Sequence, residues 1–498
     1  MKTRLLAILF ALMGTGRFAP AGEPASAVSS AVPRVSAAQQ APSSEAASLA
    51  QYENALDLFK NLNDEESLKK GYDLLGRAAA AGQADAQNAL GLCKIFGFGT
   101  GMDPSAGLDL VRKAAEAGSP KALFNMSSLT ALHIGFKGDS SNVLSYLERA
   151  ALKGDAESQF QLGLDLLDPH ILYSPDLAIL WFKKAADNGN QTAAAFAAGL
   201  NATRAIKNAN EESGLAQLKK LSDARIAAAK FWLGRYRMED HYPSSSGNRP
   251  DPVSALDYFI QADELGLRPE ACEQARKLIN KIAHEGSPEQ VNKVISFLET
   301  KQTNNCLANA LLGGIYVVSG SKYQDYAKGK AVLEIGAKAG CELAIVNLGD
   351  MCRLGLGDQR DPAKAIDYYT LAPKKSGEAL YKLAGMAFDL TTPGMLSQRQ
   401  NAYHAALEAA KMGVPEAYEL LAKMLAQGGV GESDERVKSY AWAMVAANED
   451  PEAEKVLLSR FGDKLSLEQR AEGAKIAQFF RILVQRRPLQ EGGKLFRF

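Results

Sequence analysis

Apolar residues in this chain recur every three or four positions, in blocks separated by glycine, which predicts amphipathic helices rather than strands. One such block is Trp181-Phe-Lys-Lys-Ala-Ala-Asp-Asn-Gly189, with basic residues near its end and a glycine where a C-terminal cap belongs. The same ending returns at Val111–Gly118, Leu147–Gly154, Glu334–Gly340 and Leu407–Gly413. Taking the residue after each block as a landmark gives Gly82, Gly118, Gly154, Gly189, Asp223, Gly266, roughly Asn304, Gly340, Gly377, Gly413 and Asp450. Their spacing runs from 34 to 43 residues and is mostly near 36, a solenoid period. The longest interval contains the polar stretch Glu239–Pro252, which reads as a loop inserted within one unit.

A second pattern follows each landmark: Ala86-x-x-x-Leu90-Gly91, Ser158-x-x-x-Leu162-Gly163, Ala229-x-x-x-Leu233-Gly234, Ala308-x-x-x-Leu312-Gly313 and Ala344-x-x-x-Leu348-Gly349. Residues four apart share a helix face, and the glycine beside the leucine admits a neighbouring element closely, which offsets its low helix propensity. This first helix, A, ends in glycine-rich turns such as Gly97–Gly101, Gly355–Gly357 and Gly428–Gly431. Helix B is then expected to start at Asp103-Pro104, Asp176, Asp251-Pro252 and Asp361-Pro362, with aspartate as N-cap and proline in the first turn.

At these residues the chain resembles the SEL-like (Sel-one type) repeat family, a branch of the tetratricopeptide-like α-solenoids. The resemblance rests on A-x-x-x-L-G-x-x-Y-x-x-G-x-G followed by D-x-x-K-A-x-x-W/Y-x-x-K-A-A-x-x-G, best matched by Ala344–Gly377 and by Asp176–Gly189. It covers about Leu56 to Ala453; Cys352 and Lys94 stand at the tyrosine place, and Ala195–Ser222 and Ala271–Glu299 match poorly. It implies an all-α fold, a right-handed superhelical solenoid of antiparallel helix pairs with about ten to eleven repeats of about 36 residues. It also implies protein-interaction roles, including cell-envelope and host-contact ones in bacteria.

The two ends read differently from the array. Met1–Arg4 followed by the apolar run Leu5–Met13 has the form of a secretory signal peptide, too short to span a bilayer. We expect a signal peptide over 1–27, an Ala/Ser/Pro linker over 28–49, the repeat array over 50–460 and a capping helix with tail over 461–498. Ser466 with Glu468 or Gln469 suits the start of that closing helix. The expected location is therefore outside the cytoplasm, periplasmic or secreted, with no transmembrane span in the mature chain.

Lysine plus arginine and aspartate plus glutamate number 57 each, so no net charge favours nucleic acid or an anionic membrane. The five cysteines, Cys93, Cys272, Cys306, Cys341 and Cys352, show no C-x-x-C spacing and give no zinc site. Cys341 and Cys352 sit on one expected helix, too far apart to bridge at about 1.5 Å per residue; buried apolar cysteine is the plainer reading, and Cys306, Cys341 and Cys352 are left open as to disulfides.

No set of catalytic residues emerges. Gly97-Phe-Gly-Thr-Gly101 has neither a preceding strand nor G-K-[ST], so it is a turn rather than a phosphate cradle. Ser67-Leu-Lys-Lys70 gives S-x-x-K, but S-D-N and K-T-G are missing. The histidines, His133, His170, His241, His284 and His404, are scattered singly. No metal, cofactor or catalytic residue is expected. A terminal phenylalanine, Phe498, belongs to a loose tail rather than to a barrel.

Binding is the remaining chemistry. On helix A, positions just before and two after the pattern leucine turn away from the neighbouring helices and, in the resembled solenoids, line a concave groove. These places hold Asn125, Gln161, Trp232, Asn347 and Lys382, preceded by Phe124, Phe160, Phe231 and Tyr381, with Arg235 and Asp350 further on. Amides beside aromatics suit an extended protein or peptide segment. The expected groove is Asn125, Gln161, Phe231, Trp232, Arg235, Asn347, Asp350 and Lys382, against the plainer reading that its aromatics pack between units. Trp181 is assigned to a helix-B packing place shared with Tyr146, Tyr258 and Tyr368. The leading reading is an exported, non-catalytic scaffold for protein or peptide partners in a bacterial envelope; the alternatives are a cell-wall or β-lactam amide hydrolase and a purely structural spacer.

Overall fold

The computed structural model describes residues 44–59, 64–131, 142–167, 173–238, 250–302, 305–318, 320–372, 376–392, 394–432, 434–447, 455, 459–462 and 465–485. The expected signal peptide, most of the Glu239–Pro252 insertion, His133, His170, His241 and Phe498 lie outside these residues. Among the described residues every regular element is a helix. The chain divides into two compact units, one through Ser158 and one from Gln159 to Gly493. The first holds α1 (Ser44–Leu58), α2 (Glu65–Ala80), α3 (Ala84–Phe96), α4 (Pro104–Glu116), α5 (Pro120–Ala131) and α6 (Asn142–Leu152). The division falls within α7 (Ala156–Asp165).

The second unit continues with α8 (Pro175–Asp187), α9 (Gln191–Ala202), α10 (Glu211–Asp223), α11 (Ala227–Met238), α12 (Pro252–Glu264), α13 (Arg268–Glu285), α14 (Pro288–Lys301) and α15 (Cys306–Val317). It ends with α16 (Tyr326–Lys338), α17 (Glu342–Leu354), α18 (Pro362–Leu371), α19 (Gly377–Asp389), α20 (Leu396–Lys411), α21 (Glu416–Gln427), α22 (Glu435–Ala446) and α23 (Leu467–Gln485). Odd-numbered helices through α21 are A helices and even-numbered ones are B helices.

Six of the pairs are locked by a simple rule of spacing. Asp103, Ser174, Asn210, Asp251, Asp325 and Asp361 are the N-caps of six B helices, and all but Ser174 accept backbone N–H bonds through their side chains. Eight residues after these caps stand Val111, Phe182, Leu218, Phe259, Leu333 and Tyr369, all buried. In five of the six, all but the α9–α10 pair, the pattern glycine of the A helix makes room for that side chain. A Cβ on Gly163 would lie 2.5 Å from Phe182, on Gly234 2.6 Å from Phe259 and on Gly313 2.5 Å from Leu333. The packing residue is thus Phe182, not Trp181, which is half-buried with Lys184 stacked 4.4 Å above its ring. Asp176 is likewise not the cap: Ser174 is, and Asp176 accepts the backbone N–H of Lys207 at 3.0 Å.

The turns from B to A use the left-handed region, which only glycine adopts without strain. Gly82, Gly118, Gly154, Gly189, Gly266, Gly340 and Gly413 have φ of +77 to +104°. The landmark at 223 is displaced, with Arg225 at φ 61° taking that conformation. Gly377 is different again: it is the buried first residue of α19, against Met412 and Val414, and not a C-cap.

At the start of the array, α1 begins at Ser44, inside the expected linker. Tyr52, Ala55 and Phe59 bury against α2 and α3, and that packing orders the polar turn before them. At the far end, Trp442 is stacked between Tyr418 at 5.9 Å and Phe480 of α23 at 4.2 Å. Ser466 and Gln469 exchange side-chain-to-backbone bonds of 3.2 and 3.0 Å, a capping box for that closing helix.

Cys306 and Cys341 form a disulfide with Cα atoms 5.3 Å apart, joining the starts of α15 and α17 one repeat apart. Sequence leaves this pairing open, because it connects equivalent places on neighbouring A helices rather than residues close in sequence.

Candidate functional site

The eight expected groove residues separate into a buried set and a half-exposed set. Asn125 is buried and donates to Asn88 Oδ1 at 2.7 Å, linking α5 to α3; Gln161 is buried and donates to Asp165 at 2.9 Å. Trp232 is only 4% exposed. Its ring meets Phe196 edge-on at 5.4 Å, and the contacts extend through Phe160 and Phe182 on one side and through Phe231 and Phe259 on the other. Arg235 lies 5.3 Å from the Trp232 ring. These residues place apolar and amide groups between repeats, where a peptide would have to displace core packing to reach Trp232.

Asn347, Asp350 and Lys382 are half-buried on α17 and α19, and two of them meet. Lys382 Nζ is 2.7 Å from Asp350 Oδ2 and 3.8 Å from Glu378. Glu378 in turn pairs with Arg276 of α13 at 2.9 Å, although the two are 102 residues apart in sequence. Asp350 Oδ1 accepts from Arg353 at 3.1 Å and from the Tyr369 hydroxyl at 2.8 Å. Burial, then the Asp350 charge, pushes the Tyr369 phenol far above its usual value, so it stays a hydrogen-bond donor. Burial disfavours the Arg276 cation, but Glu378 and Glu416 outweigh it and hold the guanidinium charged.

Helix-face reasoning found Asp350 and Lys382 and missed Arg276, Glu378, Arg353 and Tyr369. Arg276 lies in the stretch that departs from the repeat pattern, so nothing local marked it. Tyr369 was hidden by its neighbour Tyr368, which had been given the packing place.

The other sequence motifs are absorbed by structure. The Ser67 hydroxyl donates to Asp64 Oδ2 at 2.5 Å beside the N-cap of α2, and Lys70 pairs with Glu66 at 2.8 Å. Gly99 has φ of 66° and sits against the backbone of Leu68, where a Cβ would be 2.6 Å from the carbonyl carbon, so that turn is filled by α2. His284 and His404 are exposed. Among the described residues no group of three or more His, Cys, Asp or Glu side chains is placed to hold a metal ion, and no helix is long and apolar enough to cross a membrane.

The helix pairs α3–α4, α7–α8 and α17–α18 coincide with matches to the Sel1 repeat at residues 84–119, 156–190 and 343–372. The chain carries Sel1 repeats. Sel1 repeats typically serve protein interaction. An uncharacterised protein of Neisseria meningitidis serogroup B is 25% identical over 284 residues, and the alignment covers 56% of either chain, so this chain spans about half the length of that curated relative. Among solved structures, a protective antigen of uropathogenic Escherichia coli with an SLR fold is 20% identical at a TM-score of 0.38, covering 88% of this chain and 85% of that one. A Sel1 repeat protein from Oxalobacter formigenes is 24% identical at a TM-score of 0.36, covering 44% and 87%.

Proposed function

We propose that this Sel1-repeat chain is an exported, non-catalytic scaffold that binds protein or peptide partners in a bacterial cell envelope, with residues on α13, α17 and α19 as the contact surface. The observation that carries the reading is the half-exposed array Arg276–Glu378–Lys382–Asp350, which spreads donors and acceptors across three A helices. Charges already paired are held in fixed positions, and a peptide backbone meets them without the cost of ordering long side chains. Export is supported by the form of residues 1–27 and by the Cys306–Cys341 disulfide, a bond that persists in oxidising compartments. A non-catalytic role is supported by the engagement of Ser67 and Lys70 in helix capping and pairing.

The test is a photo-crosslinking residue at Asn347 in intact cells, with a second at Lys183 on α8 as reference. Adducts specific to position 347 that disappear in the Asp350→Ala, Lys382→Ala variant support the surface. Equal adducts from both positions, or adducts indifferent to the substitutions, overturn it.

A further inference from the structure

The outward face of α8 differs from those of other B helices in the second unit. Three and six residues after their N-caps, α10, α12 and α18 carry Ser213 and Ala216, Ser254 and Asp257, and Lys364 and Asp367. At the same places after Ser174, α8 carries Leu177 and Leu180, which are 51% and 52% exposed. Trp181 is half-buried beside them, with Lys184 stacked on its ring. Positions 177, 180, 181 and 184 follow the i, i+3, i+4, i+7 spacing of one helix face, while Ala178, Ile179, Phe182 and Ala185 bury the opposite side. The packing of the repeat accounts for the second set and leaves the first uncovered. An apolar stripe left in water is unfavourable, and such stripes mark docking surfaces.

The charges around this stripe show what fits it. Asp176 stands four residues before Leu180 and Lys184 four after it, about 6 Å along the helix in either direction. Asp176, Lys183 and Lys184 are all exposed. Asp176 Oδ1 accepts the backbone N–H of Lys207, and neither lysine is paired with a carboxylate among the described residues. An anionic lipid surface would suit the lysines but repel Asp176 and the exposed Asp187. A second α8 running in the opposite direction meets every one of these groups with its complement.

We propose that α8 is a self-association surface, on which a second copy of this chain docks through its own α8, antiparallel, about a twofold axis beside Leu180. Leu180 then meets its counterpart, and Leu177 and Trp181 of both copies cover the rest of the seam. The Asp176 of each copy comes level with the Lys183 and Lys184 of the other. Such an interface is isologous, so both sets of ion pairs form at once and the assembly closes at two copies. A face one helix wide is smaller than a standard interface, which puts the dissociation constant on the order of 10 µM. The surface shares no residue with the array on α13, α17 and α19, so the proposal does not rest on the scaffold reading.

The test is sedimentation velocity on the full chain between about 1 and about 100 µM. The wild type should pass from monomer to dimer across that range. Leu180→Glu sets two carboxylates against each other and should leave the chain monomeric throughout, with its thermal midpoint unchanged because the replaced side chain is half exposed. Lys183→Glu with Lys184→Glu should weaken dimerisation about tenfold or more, and adding Asp176→Lys should restore it.

Asp176 also holds the Lys207 backbone, so Leu180→Cys gives a readout that leaves it in place. Facing Cα atoms of two packed helices fall within the roughly 7 Å that a disulfide spans. Mild oxidation should therefore yield a covalent dimer from Leu180→Cys, and none from the wild type or from Leu371→Cys, an exposed site on α18. A wild type that stays monomeric at about 100 µM, a Leu180→Glu chain that dimerises like the wild type, or equal crosslinking from the two cysteine variants overturns the proposal. A photo-crosslinker at Lys183 should give an adduct of twice the chain's mass, distinct from a partner captured at Asn347, so failure of either reading is recognised separately.

Discussion

Gly199 of α9 and Trp232 of α11 occupy space that neither would leave for a larger neighbour: a Cβ on Gly199 would sit 2.5 Å from Cε3 and Cγ of the indole. In the other pairs the pattern glycine receives a side chain from its own B helix. Here the B helix α10 carries Gly214, whose missing side chain lets it close on the backbone of Ala198 and Ala202, and the tryptophan of the next A helix fills the space above. Gly199→Ala should therefore destabilise the second unit by about 1–3 kcal/mol through overpacking. Trp232→Ala should cost about 3–5 kcal/mol through the cavity it leaves. Urea unfolding followed by tryptophan-independent circular dichroism checks both; a neutral Trp232→Ala would return that residue to the surface.

The disulfide between Cys306 and Cys341 closes a loop with a sequence separation of 35 residues. By the chain-entropy relation such a loop contributes about 4 kcal/mol at most. Reduction, or Cys306→Ser, should lower the urea midpoint accordingly, and thiol titration in denaturant should count three groups before reduction, Cys93, Cys272 and Cys352, and all five after it. In the native state Cys93 should not react, because burial pushes its thiol far above the usual range and keeps it protonated. Five thiols before reduction would remove the bridge.

The repeat register was legible because its carriers are local. A landmark glycine needs positive φ, and an aspartate before proline caps a helix, wherever the rest of the chain lies. The candidate site was legible only in part. Asp350 and Lys382 follow from helix periodicity, but Arg276 reaches Glu378 across two intervening A helices, and no window of sequence contains both. Trp232 misled for a related reason: its position on α11 points away from the pattern face, yet the Gly199 of an adjacent repeat makes that direction interior. Faces are local properties, whereas what lies opposite a face is not.

Asp251 caps α12 by accepting from the Val253 and Ser254 N–H groups at 3.2 and 3.3 Å and from the Ser254 hydroxyl at 2.5 Å. Burial alone would raise its carboxyl, but these hydrogen bonds and the Arg237 charge outweigh it and hold it below the usual value. A depressed carboxyl contributes stability that is fully present above the unfolded value near 4 and is lost as pH falls through the lower folded value. Asp251→Ala should thus cost about 1 kcal/mol at neutral pH. The gap between variant and wild type should hold down to about pH 5 and shrink below about pH 4. Unfolding series across that range check the sign, and a gap that widens in acid would contradict it.

Exposure should decide which ion pairs matter. Lys382 and Asp350 have side chains 13% and 21% exposed, while Lys293 and Glu289 on α14 stand at 67% and 79% with a similar separation of 2.7 Å. Water and salt screen the second pair, and holding it costs side-chain entropy, so a double-mutant cycle to alanine should find no coupling there beyond the error of the measurement. The Lys382–Asp350 cycle should give about 1 kcal/mol and persist at high salt, because Tyr369 and Arg353 fix the carboxylate from its other oxygen. Equal couplings for the two pairs would show that the array on α17 and α19 is a solvated surface rather than a positioned one.

The S-x-x-K segment is the remaining place where catalysis would show itself. A serine acylated by a β-lactam needs a hydroxyl free to attack and a neighbouring base able to take its proton. The Ser67 hydroxyl instead donates to Asp64, and the hydrogen bond and charge of Glu66 hold the Lys70 ammonium above its usual range, the opposite of what a base requires. Incubation with a fluorescent penicillin should leave the chain unlabelled. Ser67→Ala should lower stability slightly, through α2, without altering any hydrolysis of cell-wall amides. Covalent label that disappears in Ser67→Ala would reinstate the hydrolase reading, and would require Asp64 and Glu66 to release both groups when substrate binds.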